Sequence, residues 1–100
     1  MITYKIFEEL FAYEGDASER LAEQIELARI DRYKRLLKER FDAKFPNLDI
    51  QVESTNSAKD PKIVIETKDA EEKERLENLA FDCVFDQVDI DLFLEFKKTM

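Results

Sequence analysis

Leu76–Phe96 reads LENLAFDCVFDQVDIDLFLEF, and the conformation of its last third decides the architecture. The stretch carries six acids (Glu77, Asp82, Asp86, Asp89, Asp91 and Glu95), no Lys or Arg, and four phenylalanines. As a strand over 88–96, Val88, Ile90, Leu92, Leu94 and Phe96 point one way. Asp89, Asp91, Phe93 and Glu95 then point the other, so every acid of that segment falls on one face. As a helix, the same residues spread apolar groups around the whole circumference, which suits a fully buried helix. Burial would leave three carboxylates in need of partners. The alternation therefore predicts a strand, with a helix as the alternative.

Working outward, Asp69-Ala-Glu-Glu72 resembles a capping box with an acid at the cap. It opens a helix whose apolar stripe is read as Leu76, Leu79, Ala80 and Cys83. Before it, Lys62–Thr67 (KIVIET) is β-branched, and Leu48–Glu53 (LDIQVE) alternates strictly. Joined by the loop-like Ser54–Pro61, the two predict a hairpin. Pro46 ends a long helix from about Ala17 to Lys44, opened by Asp16 or Ser18 as cap. Its apolar stripe is read as Leu21, Ile25 and Ala28, continued by Leu36, Leu37, Phe41 and Phe45. Thr3–Tyr13 has Tyr4, Phe7 and Phe11 at helical spacing, although Ile2–Phe7 alone also fits a strand. Gly15 is placed after that first helix as a left-handed cap. The order is α-α-β-β-α-β: one small α+β domain, its long N-terminal helix preceded by a short one and packed on a small antiparallel sheet.

Length and composition agree with that class. One hundred residues make a single domain. A single glycine argues against the many tight turns of a sandwich or barrel. Charged residues make up 40% of the chain, against about 25% in an average one. The net charge is −8. Residues 1–46 hold 9 bases and 10 acids, and 47–100 hold 7 bases and 14 acids, so the second half carries the imbalance. Such a surface repels nucleic acid and anionic lipid, so neither direct DNA binding nor membrane binding is expected. No run approaches the ~18–20 apolar residues of a membrane span, Glu8 and Glu9 interrupt any signal-peptide core, and the lone Cys83 fits a reducing cytoplasm.

Catalytic machinery is sparse. The chain has no histidine, which removes the commonest general base near neutral pH, histidine-activated nucleophiles and histidine metal ligands. One glycine cannot build a phosphate loop. Asp86-x-x-Asp89-x-Asp91 lacks the glycine and the closing glutamate of a calcium loop. No enzyme activity, cofactor or metal is expected. Cys83 reads as a small core residue. Tyr4, Phe7, Phe11, Tyr33, Phe41, Phe45, Phe81 and Phe85 read as mostly core.

The functional expectation rests on the acids. Residues two apart on a strand lie about 6.6–6.8 Å from each other on one face, a spacing of the order of backbone phosphates. Asp82, Asp86, Asp89, Asp91 and Glu95, with Phe93 for specificity, are read as a surface that meets a basic partner, such as a nucleic-acid-binding complex, and inhibits or regulates it. Small phage-encoded inhibitors of host defence use such mimicry, and the chain is similar to them in size, acidity and lack of catalytic residues. The alternative is a homodimeric adaptor module. There Arg29, Arg32, Tyr33 and Arg35, within a segment of six bases and two acids (Arg29–Arg40), face the acidic segment of a second copy.

Overall fold

The computed structural model describes Met1–Met100 as an α+β domain with a three-stranded mixed sheet and three α-helices. In chain order these are β1 (Ile2–Phe7), a 3-10 turn (Glu8–Phe11), α1 (Glu19–Lys44), β2 (Ile50–Thr55), β3 (Ile63–Ile65), α2 (Ala70–Phe81) and α3 (Val84–Lys97). The strand order is β2-β1-β3, with β1 parallel to β2 and antiparallel to β3.

The first element is thus a strand, not a helix. Its period-two set Ile2, Tyr4 and Ile6 is at most 3% exposed, the signature of a central strand buried on its helix-bearing face. The helical spacing of Tyr4, Phe7 and Phe11 was misleading: Phe11 reaches the core through the 3-10 turn instead. With β1 in the middle, the expected hairpin is split. β2 and β3 run antiparallel to each other but lie on opposite sides of β1. A parallel β1–β2 pair needs a long crossover, and α1 provides it. The sheet is accordingly mixed rather than antiparallel.

Ser18 opens α1 by accepting a hydrogen bond from the Leu21 amide. Twenty-six residues make α1 about 39 Å long. Only its second half has a buried stripe, Ile30, Tyr33, Leu37 and Phe41. Leu21 and Ala28, expected on the stripe, are exposed, so the first two turns project beyond the sheet. Gly15 is not a left-handed cap, since no glycine has positive φ. The Tyr13 ring packs over it: a Cβ there would lie 2.2 Å from the Tyr13 hydroxyl oxygen and would displace that side chain.

The last element is a helix. Val88, Leu92 and Phe96 recur every four residues, a spacing that satisfies a strand's period of two and one helical turn alike. The two readings differ at other positions. A helix brings Phe85, Asp89 and Phe93 inward and turns Ile90 and Leu94 outward. Phe85 is buried, Asp89 and Phe93 are partly so, and Ile90 and Leu94 are exposed. Phe93 packs edge-on against Phe11 and Tyr33. It belongs to an aromatic cluster that includes Phe96, while Tyr4, Phe41, Phe45 and Phe85 form a second one.

Asp69 caps α2 through the amides of Glu71 and Glu72. Its stripe stops at Ala80, because α2 ends at Phe81 and the chain turns at Asp82 and Cys83 into α3. Cys83 is exposed rather than in the core, and it is the single non-glycine residue with positive φ, 59°. A side chain in the left-handed region costs about 1–2 kcal/mol. Cys83→Gly is expected to raise stability by up to about 1 kcal/mol, and Cys83→Val to lower it, since β-branching is worst there. Urea denaturation checks this; equal stability of the two variants would contradict the turn.

Candidate functional site

The inward side of α3 carries the most concentrated chemistry in the molecule. Asp86 and Asp89 are three residues apart and so share a helix face. The hydroxyl of Tyr4, from the central strand, lies 2.7 Å from Asp89 Oδ2 and 2.8 Å from Asp86 Oδ1. The hydroxyl of Tyr33, from α1, donates to the Asp89 carboxylate and sits 2.8 Å from the Asp89 backbone carbonyl. Lys62, just before β3, brings its ammonium 3.0 Å from Asp86 and 4.0 Å from Asp89, and lies over the Tyr4 ring. Two carboxylates, one ammonium and two phenols therefore tie together α3, β1, α1 and the start of β3.

Each phenol has one proton to give, and the carboxylates accept it. Burial first, then the charge of Asp89 and hydrogen bonds to Asp89 and Asp86, push the Tyr4 phenol far above its ordinary value. Burial and the hydrogen bond and charge of Asp89 do the same to Tyr33, partly offset by Arg40. Both phenols donate into the carboxylate cluster, which ties α3 to β1 and α1.

The residues expected to form one acidic face are dispersed around α3 and mostly engaged. Glu95 is bound by Arg40 of α1, and Asp91 accepts from Gln87 one turn earlier. Asp82 lies outside the helix, exposed at the α2–α3 turn. Phe93 is packed, as described above. The basic candidates on α1 separate in the same way. Arg29 reaches the carbonyls of Phe11 and Ala12 and covers Tyr13. Arg32 lies over Phe96, Tyr33 is buried, and Arg35 remains exposed.

Three features of the site lay outside the sequence reading. Tyr4 and Lys62 close the carboxylate cluster, and no local pattern pairs residues so far apart in the chain. The third is Phe81, which is not core but 86% exposed, the most exposed of the large apolar side chains. On α2 it lies about 140° round from the buried Leu76, so its solvent orientation follows once that helix's inward face is fixed. Glu77 and Glu74 stand one and two turns before it on the same face, with Glu71 and Asp82 flanking. None of these four carboxylates has a cation within ion-pair distance. No group of three or more His, Cys, Asp or Glu is arranged to hold a metal ion, and no helix is long and apolar enough to cross a membrane.

Comparison with protein-family models, curated proteins and solved structures returned no match.

The carboxylate cluster makes a direct prediction. Asp89→Ala removes the carboxylate that both hydroxyls use, leaving Tyr4 with Asp86 alone and Tyr33 with the backbone carbonyl at position 89 alone, and is expected to cost about 1–3 kcal/mol. Made in a Tyr33→Phe background, the same change is expected to cost about 0.5–1 kcal/mol less, because the Tyr33–carboxylate bond is already gone. A double-mutant cycle by chemical denaturation reads this; purely additive costs would refute the coupling.

Proposed function

We propose that the chain is a non-catalytic binding domain that docks on a basic protein surface through the α2–α3 corner, with Phe81 as the apolar anchor. The observation that carries this reading is an aromatic side chain 86% exposed on a helix face that also carries the unpaired Glu74 and Glu77, with Glu71 and Lys73 at its margins. Burying a phenylalanine from water is worth about 1.5–3 kcal/mol, one to two orders of magnitude in affinity. An anchor of that kind in a partner's pocket, with charges at the rim that speed encounter and reject wrong surfaces, is how small interfaces gain strength and selectivity.

The partner's chemistry follows from the rim. Glu71, Glu74 and Glu77 recur every three residues, a rise of about 4.5 Å each, and continue into Phe81 and Asp82. A row of carboxylates at that pitch suits the Lys and Arg rows with which proteins grip phosphates. Occupying such a row would inhibit or regulate a nucleic-acid-binding protein without catalysis. Of the acids first considered for this role, Asp82 belongs to the corner. Asp86 and Asp89 support the fold behind it.

A second reading, a homodimer, draws on Ile90 and Leu94, 51% and 59% exposed and one turn apart on the outer side of α3. Sedimentation over a range of concentration separates the two; a monomer throughout removes the dimer.

The docking reading is tested with matched baits in a cell lysate: the wild-type chain, Phe81→Ala, Glu71→Lys with Glu74→Lys and Glu77→Lys, and Asp91→Lys as a remote control. Because Phe81 makes little contact with the rest of the domain, all four are expected to keep the wild-type circular dichroism. The expected result is a basic protein retained by wild type and by Asp91→Lys, reduced about tenfold or more by the other two, and released by duplex DNA or rising salt. Retained proteins indifferent to both Phe81→Ala and the charge reversal would contradict it.

A further inference from the structure

A second surface, of opposite charge, lies at the other side of the sheet. β2 is an edge strand. The Ile2 amide donates to the Asp49 carbonyl, and Ile2 is paired with Ile50 in a parallel register. In such a ladder the backbone groups of Gln51, Glu53 and Thr55 turn toward β1 and those of Ile50, Val52 and Ser54 turn outward; Ile50 is fully buried, so the accessible outward groups are those of the half-buried Val52 and Ser54. No other backbone or side-chain hydrogen bond uses these outward groups. Proteins usually blunt a free edge with lysine, proline, a bulge or a covering segment. β2 runs six residues without lysine or proline, and its one charge, Glu53, lies on the face opposite Ile50 and Val52.

Above this edge α1 overhangs, and the groove between them, about 370 Å³, is lined by Lys34, Arg35, Lys38, Gln51 and Val52. Lys34 and Arg35 have no carboxylate within ion-pair distance, and Lys38 has only Asp42 on its own helix. A chain of net charge −8 thus keeps three cations together beside the one long unpaired strand edge.

We infer that this edge is a docking site for an extended acidic peptide, which adds as a fourth strand beside β2 and sets alternate carboxylates against Lys34, Arg35 and Lys38. The spacings agree. Alternate residues of a strand are about 6.6–6.8 Å apart, and Lys34 and Lys38 are separated by a rise of about 6 Å along α1. Main-chain bonds to Val52 and Ser54 supply affinity that is independent of side chains, and the cations select for acids. A second copy of this chain is the poorer occupant. Two-fold pairing of β2 with β2 would bring two copies of the Lys34–Arg35–Lys38 overhang together, like charge facing like.

The test uses a fluorescently labelled synthetic peptide alternating valine and aspartate, with a version bearing proline at the central valines and a single-stranded oligothymidylate as controls. Anisotropy is expected to show salt-sensitive binding of the first peptide. Binding should weaken by about tenfold or more for the proline version, for Lys34→Glu with Arg35→Glu, and for Val52→Pro, whose lost N–H serves no bond to β1. Independently of any variant, amide exchange in the wild-type chain should be fast at Val52 and Ser54 and slow down on adding peptide, while Gln51, Glu53 and Thr55 are slow throughout. No binding, equal affinity for the oligonucleotide or the proline peptide, or protection of the outward amides without peptide would each overturn the proposal.

Discussion

The carboxylate of Asp89 stands where the last helix, the central strand and the long helix meet, and the arrangement of all three depends on it. One oxygen takes the Tyr33 hydroxyl and the other the Tyr4 hydroxyl, while Lys62 faces both Asp89 and Asp86. Apolar packing alone is non-directional. Two phenols and an ammonium converging on one carboxylate are directional, and they hold α3 in one register against β1 and α1. Left without any of those partners, a charge placed there would cost several kcal/mol. The position therefore selects one arrangement of α3 as much as it stabilises it.

That dependence explains what could and could not be read along the chain. Local signals were clear. Ser18 and Asp69 as caps, Pro46 as the end of α1, the β-branched runs of β2 and β3 and the α+β class all follow from nearest-neighbour chemistry. The errors fell where two periods coincide. Residues 88, 92 and 96 satisfy both strand and helix, and the deciding position, Asp89, finds its partners 56 and 85 residues away. Tyr4 had the same ambiguity from the other side, with Phe7 and Phe11 suggesting a helix that the flanking strands β2 and β3 overrule. Once β1 is misassigned, β2 and β3 look like neighbours, and the hairpin follows. Cys83 was misplaced for a related reason, the stripe of α2 being carried past the helix end, and Phe81 was read as core with the other aromatics although it lies about 140° round from Leu76.

The same geometry redistributes the charge. Acids that look like one anionic surface in the sequence divide between structural and free ones. Asp86, Asp89 and Glu95 hold α3 to cations and phenols of other elements, while the free carboxylates gather on α2 around an exposed aromatic ring. The cations divide likewise. Arg29, Arg32 and Arg40 fold back on carbonyls, rings and Glu95, and Lys34 and Arg35 stay free at the open edge of the sheet. The domain thus presents two faces of opposite sign that share no residues.

The most direct measurement is an alkaline titration that follows tyrosinate absorbance and helical circular dichroism together. Both phenols are held protonated by the fold, so their folded values lie above the unfolded one of about 10. Their contribution to stability is therefore complete below pH of about 10. It declines above that, as the unfolded chain loses protons that the folded one keeps, by roughly 2.7 kcal/mol per pH unit for the pair. The account predicts that Tyr4 and Tyr33 ionise only as the helical signal is lost, and that the variant carrying Tyr4→Phe and Tyr33→Phe lacks this steep dependence. Ionisation of those two phenols at the ordinary value, with the fold intact, would contradict it.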